Sequence, residues 1–464
     1  MMKLRLGWRL LGMAAVVGVL AWDIGVAATP APAPRTQPIV RADDLFPYGV
    51  YIAGGTWYDH EWAAGNGKFR SVAAYLDNVT ASMQAGGFNV VWPNAMAVEA
   101  PEYEKVLRTW IAAARPRGIR VLPQGGPFPG GSDEIYRGVK NWPALVDGEI
   151  KPFYRTVVPK FRDDRTLLAW SIGEEPPAEE RDRPIYEAIR SVTDVVTALD
   201  PHHPAIFLYH WPEGVEMAAR IVRPKIMPSN IGPFQGTPGL ATWTENTIYY
   251  SVDIERRFRA SRSIGVPLWV MGTASEVDEY KNGRLVTDRR RPTPNEIRWQ
   301  VWAALFHGAR GFFYFVYRDL DPAPIPNGEY IIGMVDSRGM PNEMYHAAVR
   351  AGQETRPLWP LLIRLEAGAL AYEYPPDPFG YDEQVESYWE RLPRVRWRSF
   401  THRDTRARYW MAVNFDLERA QTPVQVPETA RLRDVGSGVI YTPATLSTLF
   451  LAPGSGALFE DLSR

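Results

Sequence analysis

Eight short, nearly uninterrupted apolar runs, separated by helical patterns, constrain this chain more than any other feature. The runs are Phe46–Gly54, Phe88–Pro93, Ile119–Gln124, Leu167–Ile172, Ala205–His210, Lys225–Ser229, Pro267–Met271 and Gly311–Tyr317. Continuous rather than alternating apolarity is the pattern of parallel strands buried on both faces. Between the first two, Phe69, Val72, Ala73, Leu76, Val79 and Met83 recur at helical spacing, and Gly86-Gly87 ends the helix. Before the eighth run, Thr293-Pro294-Asn295-Glu296 reads as a capping box, followed by Trp299, Val301, Trp302, Leu305 and Phe306. Eight βα units in about 270 residues is the size of a (β/α)₈ TIM barrel. The competing α/β fold, an open doubly wound sheet, usually carries a glycine-rich phosphate turn after its first strand, and Gly54-Gly55-Thr56 is not one.

The pattern changes near residue 366, after a last amphipathic helix over about Asn342–Leu365. Val395–Phe400, Arg408–Asn414, Thr422–Val426 and Ser447–Leu451 are strand-like, and Gly436-Ser437-Gly438 is a turn. The expected organisation is a barrel over 43–365 and a small C-terminal β-sandwich domain over 366–464. At the other end, Lys3, Arg5 and Arg9 precede an apolar run from Leu10 to Trp22, and Val26-Ala27-Ala28 offers small residues for cleavage. That run is short for a bilayer span of about 20 residues. Residues 1–28 therefore read as a secretory signal peptide, with an uncleaved anchor as the alternative, and 29–42 as a Pro/Ala-rich linker. The mature protein is expected to be secreted or periplasmic, with no stable membrane anchor.

Composition removes several function classes. Lys+Arg number 52 against 53 Asp+Glu, a net charge of −1, without the basic footprint that nucleic acid requires. Cysteine is absent, which rules out disulfides, thiolate metal sites and a cysteine nucleophile. No HExxH, phosphate loop or GxSxG after a strand occurs, and no metal or other cofactor is expected. Asp200-Pro201-His202-His203 lies on the wrong side of a barrel for catalysis and reads as a turn.

Barrel chemistry gathers at the C-terminal ends of the strands. Those ends supply Trp57 and Tyr58 with Asp59, then Trp92 and Asn94, Gln124, Glu174 and Glu175, His210 and Trp211, Ser229 and Asn230, Glu276, and Tyr317 with Asp319. Flat aromatics stack on sugar C–H faces, while carboxylates and amides bind hydroxyls. Trp57, Tyr58, Trp92, Asn94, Gln124, His210, Trp211 and Tyr317 are accordingly the candidate substrate-binding residues. Glu174-Glu175-Pro176 stands out, because two adjacent carboxylates at a strand exit are costly unless used. The bland alternative is that they cap the following helix.

Trp170-Ser171-Ile172-Gly173-Glu174-Glu175-Pro176 resembles the strand-four motif of a clan of (β/α)₈ glycoside hydrolases, in which Asn-Glu-Pro or Asp-Glu-Pro places the general acid/base. Phe88-Asn89-Val90-Val91, His307-Gly308-Ala309-Arg310-Gly311 and Val335-Asp336-Ser337-Arg338-Gly339-Met340-Pro341-Asn342 are similar to segments of agarase-like and β-galactosidase-like barrels. The resemblance implies that Glu175 is the catalytic acid and that Glu174 takes the Asn/Asp place. It also implies a carbohydrate substrate, with O-glycosidic bonds of a poly- or oligosaccharide hydrolysed by carboxylate acid/base catalysis. The clan's second glutamate ends strand seven, where this chain has Thr273-Ala274-Ser275-Glu276. Glu276 or Asp319 is the candidate nucleophile or base, with Asp59 a further possibility. The rival reading is a pseudo-glycosidase that only binds glycans in an export or cell-surface assembly.

Overall fold

The computed structural model describes residues 44–463 apart from 54–68, 70, 95–98, 131–132, 233–242, 283, 320–327, 337, 371–391 and 424–430. The proposed signal peptide and linker lie outside the described residues. The described residues belong to one compact unit.

Eight parallel strands close into a TIM barrel. They are β1 (Tyr48–Ile52), β2 (Val90–Pro93), β3 (Arg120–Val121), β4 (Trp170–Glu174), β5 (Ala205–Leu208), β6 (Met227–Asn230) and β7 (Leu268–Thr273), with β10 (Phe312–Phe315) as the eighth. One sheet runs β3-β2-β1-β10-β7-β6, and β4 pairs with β5. Parallel bridges Val121↔Leu167 and Gln124↔Ser171 join β3 to β4, and Tyr209↔Ser229 joins β5 to β6, completing the ring. Each of the eight apolar runs overlaps its strand, although β4, β6 and β7 continue one or two residues past the end of the run.

Side chains fill the lumen, as a barrel of this size requires. Tyr51, Val90, Trp92, Leu122, Leu168, Ile206, Trp269, Met271 and Phe313 form that inner cluster. A larger cluster lies between strands and helices and extends under the C-terminal sheet. The helix Val72–Gly86 starts at Ser71, whose hydroxyl accepts from the Ala74 amide, and stops at Gly87 with φ 75°. The helix Pro294–Phe306 carries the expected reciprocal Thr293/Glu296 capping box.

Two features depart from the sequence reading. First, an antiparallel sheet ordered β11-β8-β9 is inserted around the exits of β7 and β10: β8 (Glu276–Lys281), β9 (Arg284–Arg289) and β11 (Gly328–Ile332). Lys281 faces Arg284, and Asn282, which follows β8, sits at φ 52°. Second, Ser447–Leu451 is not a strand. Leu451 makes an isolated bridge to Gln421, and the missing strand is β17 (Gly456–Asp461).

The C-terminal sheet runs β12-β13-β14-β17-β15-β16, from β12 (Leu365–Leu370), β13 (Val395–His402), β14 (Arg408–Asn414), β17, β15 (Leu432–Asp434) and β16 (Ile440–Tyr441). Phe400, Met411, Val413 and Leu458 on one face join the barrel's outer core. Trp397, Leu432 and Phe459 on the other are covered by Leu446, Leu449 and Leu451. The sandwich's second layer is therefore a short helix and a loop, with the barrel packed on the opposite side.

Candidate active site

The end of β4 is built irregularly. Ser171 pairs with Ile206, but Glu174 pairs with Leu208, so β4 carries one extra residue across from β5. Strict alternation would put Glu174 on the side of Ile172, facing the helices. The bulge reverses that phase and turns Glu174 inward. Gly173 permits it: a Cβ there would meet Phe207 at 2.5 Å. The next residue, Glu175, sits at φ 53°, a left-handed conformation costing a non-glycine residue roughly 1–2 kcal/mol. The two adjacent carboxylates thereby reach different neighbours.

Glu174 ends a directed chain of donors. The Trp92 indole N–H donates to Gln124 Oε1 (2.8 Å), and Gln124 Nε2 donates to Asn94 Oδ1 (3.0 Å). Asn94 Nδ2 then donates to Glu174 Oε1 (2.8 Å), while the Tyr51 hydroxyl donates to Oε2 (2.6 Å). An indole can only donate, and that fixes the orientation of both amides. The Tyr136 hydroxyl also donates to the Glu174 carbonyl. Burial raises the Glu174 pKa and the Glu175 charge raises it further, against the donors.

Glu175 ends a second chain. Asn230 Nδ2 donates to Glu175 Oε1. The Asn230 oxygen is left to face His210 Nδ1 at 3.1 Å, so that nitrogen carries the proton. Burial, reinforced by the nearby Arg257 charge, lowers the His210 pKa to about 4. The imidazole is therefore neutral near pH 7, with its Nε2 lone pair unprotonated. His210 Nδ1 lies 3.9 Å from Glu175 Oε1.

The structure brings Glu174, Glu175, Asn94, Gln124 and His210 into this pair of chains. Trp211 follows His210 and is 49% exposed, its ring 4.5 Å from the imidazole. Trp92 and Tyr317, by contrast, are sealed from solvent, so Trp92 enters the site through its N–H rather than as a stacking face. Trp57, Tyr58 and Asp59 lie outside the described residues. Glu276 opens β8 and is paired with Arg291 at 3.1 Å. Asp319 accepts from the Gly333 amide at 2.7 Å, and burial raises its pKa. At the exit of β7, Gln300 grips Thr273 on both sides, accepting from its N–H (2.7 Å) and donating to its carbonyl (2.9 Å).

Sequence reasoning missed Tyr51, Tyr136, the Ser171 hydroxyl, which donates to Gln124 Oε1 at 3.0 Å, and the role of Asn230. Asn230 was visible as a strand-exit amide, whereas Tyr51 looks like any other apolar strand residue. Asp200 makes the expected turn, accepting from the His202 and His203 amides (both 3.0 Å) and from the Trp170 indole (2.9 Å). Among the described residues, no cluster of three or more His, Asp or Glu could hold a metal ion, and no helix is long and apolar enough to cross a membrane.

No protein-family model matches the sequence, and no curated protein matches it. Solved structures do resemble the fold. A β-galactosidase from Bacillus circulans sp. alkalophilus aligns over 90% of this chain and 99% of its own, with a TM-score of 0.56 and 9% identity. An endo-β-1,4-mannanase from Thermotoga petrophila aligns over 89% and 93%, at TM-score 0.47 and 12% identity. A β-galactosidase from Marinomonas ef1 aligns over 68% of this chain at TM-score 0.46 and 12% identity, and there the match spans 62% of the other chain. At such identities the likeness is one of fold: a TIM barrel of the kind found in glycoside hydrolases.

Proposed function

We propose that this chain is an exported glycoside hydrolase acting on a poly- or oligosaccharide. The reading rests on one observation above all. Two adjacent glutamates at the exit of the fourth barrel strand are turned apart by a bulge and a left-handed residue, and each is held by its own donor chain. Glu175, partly open to solvent near His210, protonates the leaving glycosidic oxygen. Glu174, deeper and flanked by Tyr51 and Asn94, fixes a sugar hydroxyl and tunes its neighbour. As nucleophile or base, Glu276 would act from beside Arg291, which holds its Oε2, and Asp319 from beside the Gly333 amide, which holds its Oδ1. Export would remove residues 1–28, leaving an N-terminus near Thr29, which N-terminal sequencing of protein from the extracytoplasmic fraction checks.

The purified mature protein, screened against a polysaccharide panel by reducing-end detection, should release ends from at least one glycan. Glu175→Gln should abolish most of that release. Turnover that survives both Glu175→Gln and Glu174→Gln would place the chemistry elsewhere.

One observation favours the glycan-binding alternative. The β7 exit carries Thr273 clamped by Gln300 where the resemblance calls for a second glutamate, and Glu276 is already paired. Saturable binding of a glycan by the wild-type protein, with no reducing ends released on long incubation, would select that reading.

A further inference from the structure

Arg257 is a buried guanidinium on the helix Trp243–Ser263, away from both glutamates in sequence and 2% exposed. Asp253, one turn earlier, grips it with both oxygens, at 2.8 Å from Nε and 2.7 Å from Nη2. Its remaining donors spread over the ends of two barrel strands. Nη2 donates to the His210 carbonyl (2.6 Å), and Nη1 to the Asn230 carbonyl (3.1 Å) and the Ser229 hydroxyl. Nη1 also faces the Tyr209 carbonyl at 3.4 Å. Ser229 Oγ in turn donates to the Tyr209 carbonyl at 2.8 Å.

Two of those acceptors, the His210 and Asn230 carbonyls, belong to the backbone of the residues whose side chains reach toward Glu175, and the other two, the Tyr209 carbonyl and the Ser229 hydroxyl, belong to their chain neighbours. The β5–β6 seam there is a single bridge, Tyr209↔Ser229, so few ladder bonds fix the relative height of the two strand ends. A planar guanidinium carries five donors on three nitrogens in fixed geometry; a lysine, with three donors on one nitrogen, cannot span the same set of acceptors. Burying that charge is costly unless its donors are matched, and here Asp253 and the strand-end oxygens match them.

We infer that Arg257, braced by Asp253, is a positioning residue for Glu175: it locks the ends of β5 and β6 so that His210 orients the Asn230 amide and that amide holds the Glu175 carboxylate. It touches no substrate. Its kinetic consequences rest on the glycosidase reading given above; its structural consequence does not.

The test uses the full mature protein with Arg257→Lys and Asp253→Asn, each first checked for a cooperative thermal transition. The structural arm reads ring-nitrogen chemical shifts of ¹⁵N-histidine-labelled protein, with His210 assigned by His210→Gln. In the wild type His210 should show the Nδ1–H tautomer, and in folded Arg257→Lys that signature should be lost or averaged with the Nε2–H form. The kinetic arm uses whichever glycan the wild type cleaves. There kcat should fall at least tenfold with KM within about twofold, and an activated aryl glycoside should be hit less. In a Glu175→Gln background the Arg257→Lys effect should disappear, because the residue acts through Glu175. An unchanged His210 tautomer in folded Arg257→Lys overturns the inference, whether or not the protein cleaves glycans. An equal loss from Arg257→Lys with and without Glu175 also overturns it. Failure of the glycosidase reading shows instead as wild-type inactivity, and the tautomer arm stands apart from that.

Discussion

Glu174 and Glu175 are neighbours in sequence and differ in everything else, so their substitutions should differ too. Glu175→Gln keeps the shape and removes the proton. General acid catalysis contributes about 10²–10⁴-fold, so kcat on a natural glycan should fall by that order while KM changes little. Aryl glycosides with good leaving groups should lose less in their cleavage step. For Glu174 the informative measurement is stability against pH. Burial and the Glu175 charge raise its pKa in the folded state. The folded protein then retains a proton that the unfolded chain releases near the ordinary value of about 4.3. The stabilisation is complete below that value and is lost as pH rises through the window up to the folded pKa. Glu174→Gln cannot titrate, so urea midpoints should improve relative to wild type as pH rises through that window; a constant difference would contradict the raised pKa. The two tryptophans also separate. Trp211→Ala should weaken glycan binding by about 1 kcal/mol, the value of one stacked ring, with little effect on folding. Trp92→Ala empties a sealed lumen position and should cost about 3–5 kcal/mol in denaturant titrations. From sequence both are aromatic residues near a strand exit. What separates them is where the strand stops: Trp92 lies within β2, whereas Trp211 is beyond the end of β5 and caps the helix Pro212–Ile221.

At the scale of elements, the barrel was readable because eight buried parallel strands leave eight apolar runs, and helix ends leave caps such as Thr293/Glu296 and Gly87. The pieces that missed are those whose residues are polar or short. EVDEYK and RLVTDR in β8 and β9 are too charged for an apolar-run search, yet Asn282-Gly283 between them is a strong hairpin signal that could have found them. Ser447–Leu451 has strand-like residues, but Thr442 and Pro443 start a helix that carries Leu446 and then Leu449 over the sheet. The β4 bulge left no mark except a glycine. That glycine supports a prediction. Gly173→Ala drives a methyl toward Phe207, an overpacking that should cost about 1–3 kcal/mol. It should also displace Glu174 from Asn94 and Tyr51, lowering activity beyond the change in folded fraction. Wild-type stability and kcat in Gly173→Ala would show that the bulge is not needed for the carboxylate's direction.

Across the whole molecule, the C-terminal sheet is tied to the barrel by buried charge. Arg398 on β13 donates to Glu255 Oε2 at 2.7 Å, and His307 Nδ1 lies 2.9 Å from the same oxygen. Burial alone would raise the Glu255 pKa, but the His307 bond and the Arg398 charge pull it down to about 2. Burial lowers His307 to about 4, against the Glu255 bond, so it is neutral at pH 7 and its Nδ1–H donates. Both folded pKa values lie below the unfolded ones. Stability from Glu255 is present above about pH 4.3 and is lost as pH falls toward 2; that from His307 is lost as pH falls from about 6.5 toward 4. Arg398→Met leaves the buried Glu255 with only the exposed Arg259 as a cation, at 3.2 Å, and should cost about 3–5 kcal/mol at pH 7, read from the denaturant midpoint. A loss below about 1 kcal/mol would mean that water reaches the carboxylate.

Glu255 and Arg257 are two residues apart on one helix, so they emerge about 200° apart around its axis. The helix therefore holds the C-terminal sheet with one side and the mouth of the barrel with the other. A chain cut at residue 365 would lose Arg398 and leave Glu255 facing water. If that truncated protein still folds, its defect should look like a lesion among the glutamates, with slow turnover and nearly normal substrate affinity, although every residue lining the mouth is still present. Anyone trimming this protein to a minimal barrel for engineering would then be altering the paired glutamates from behind.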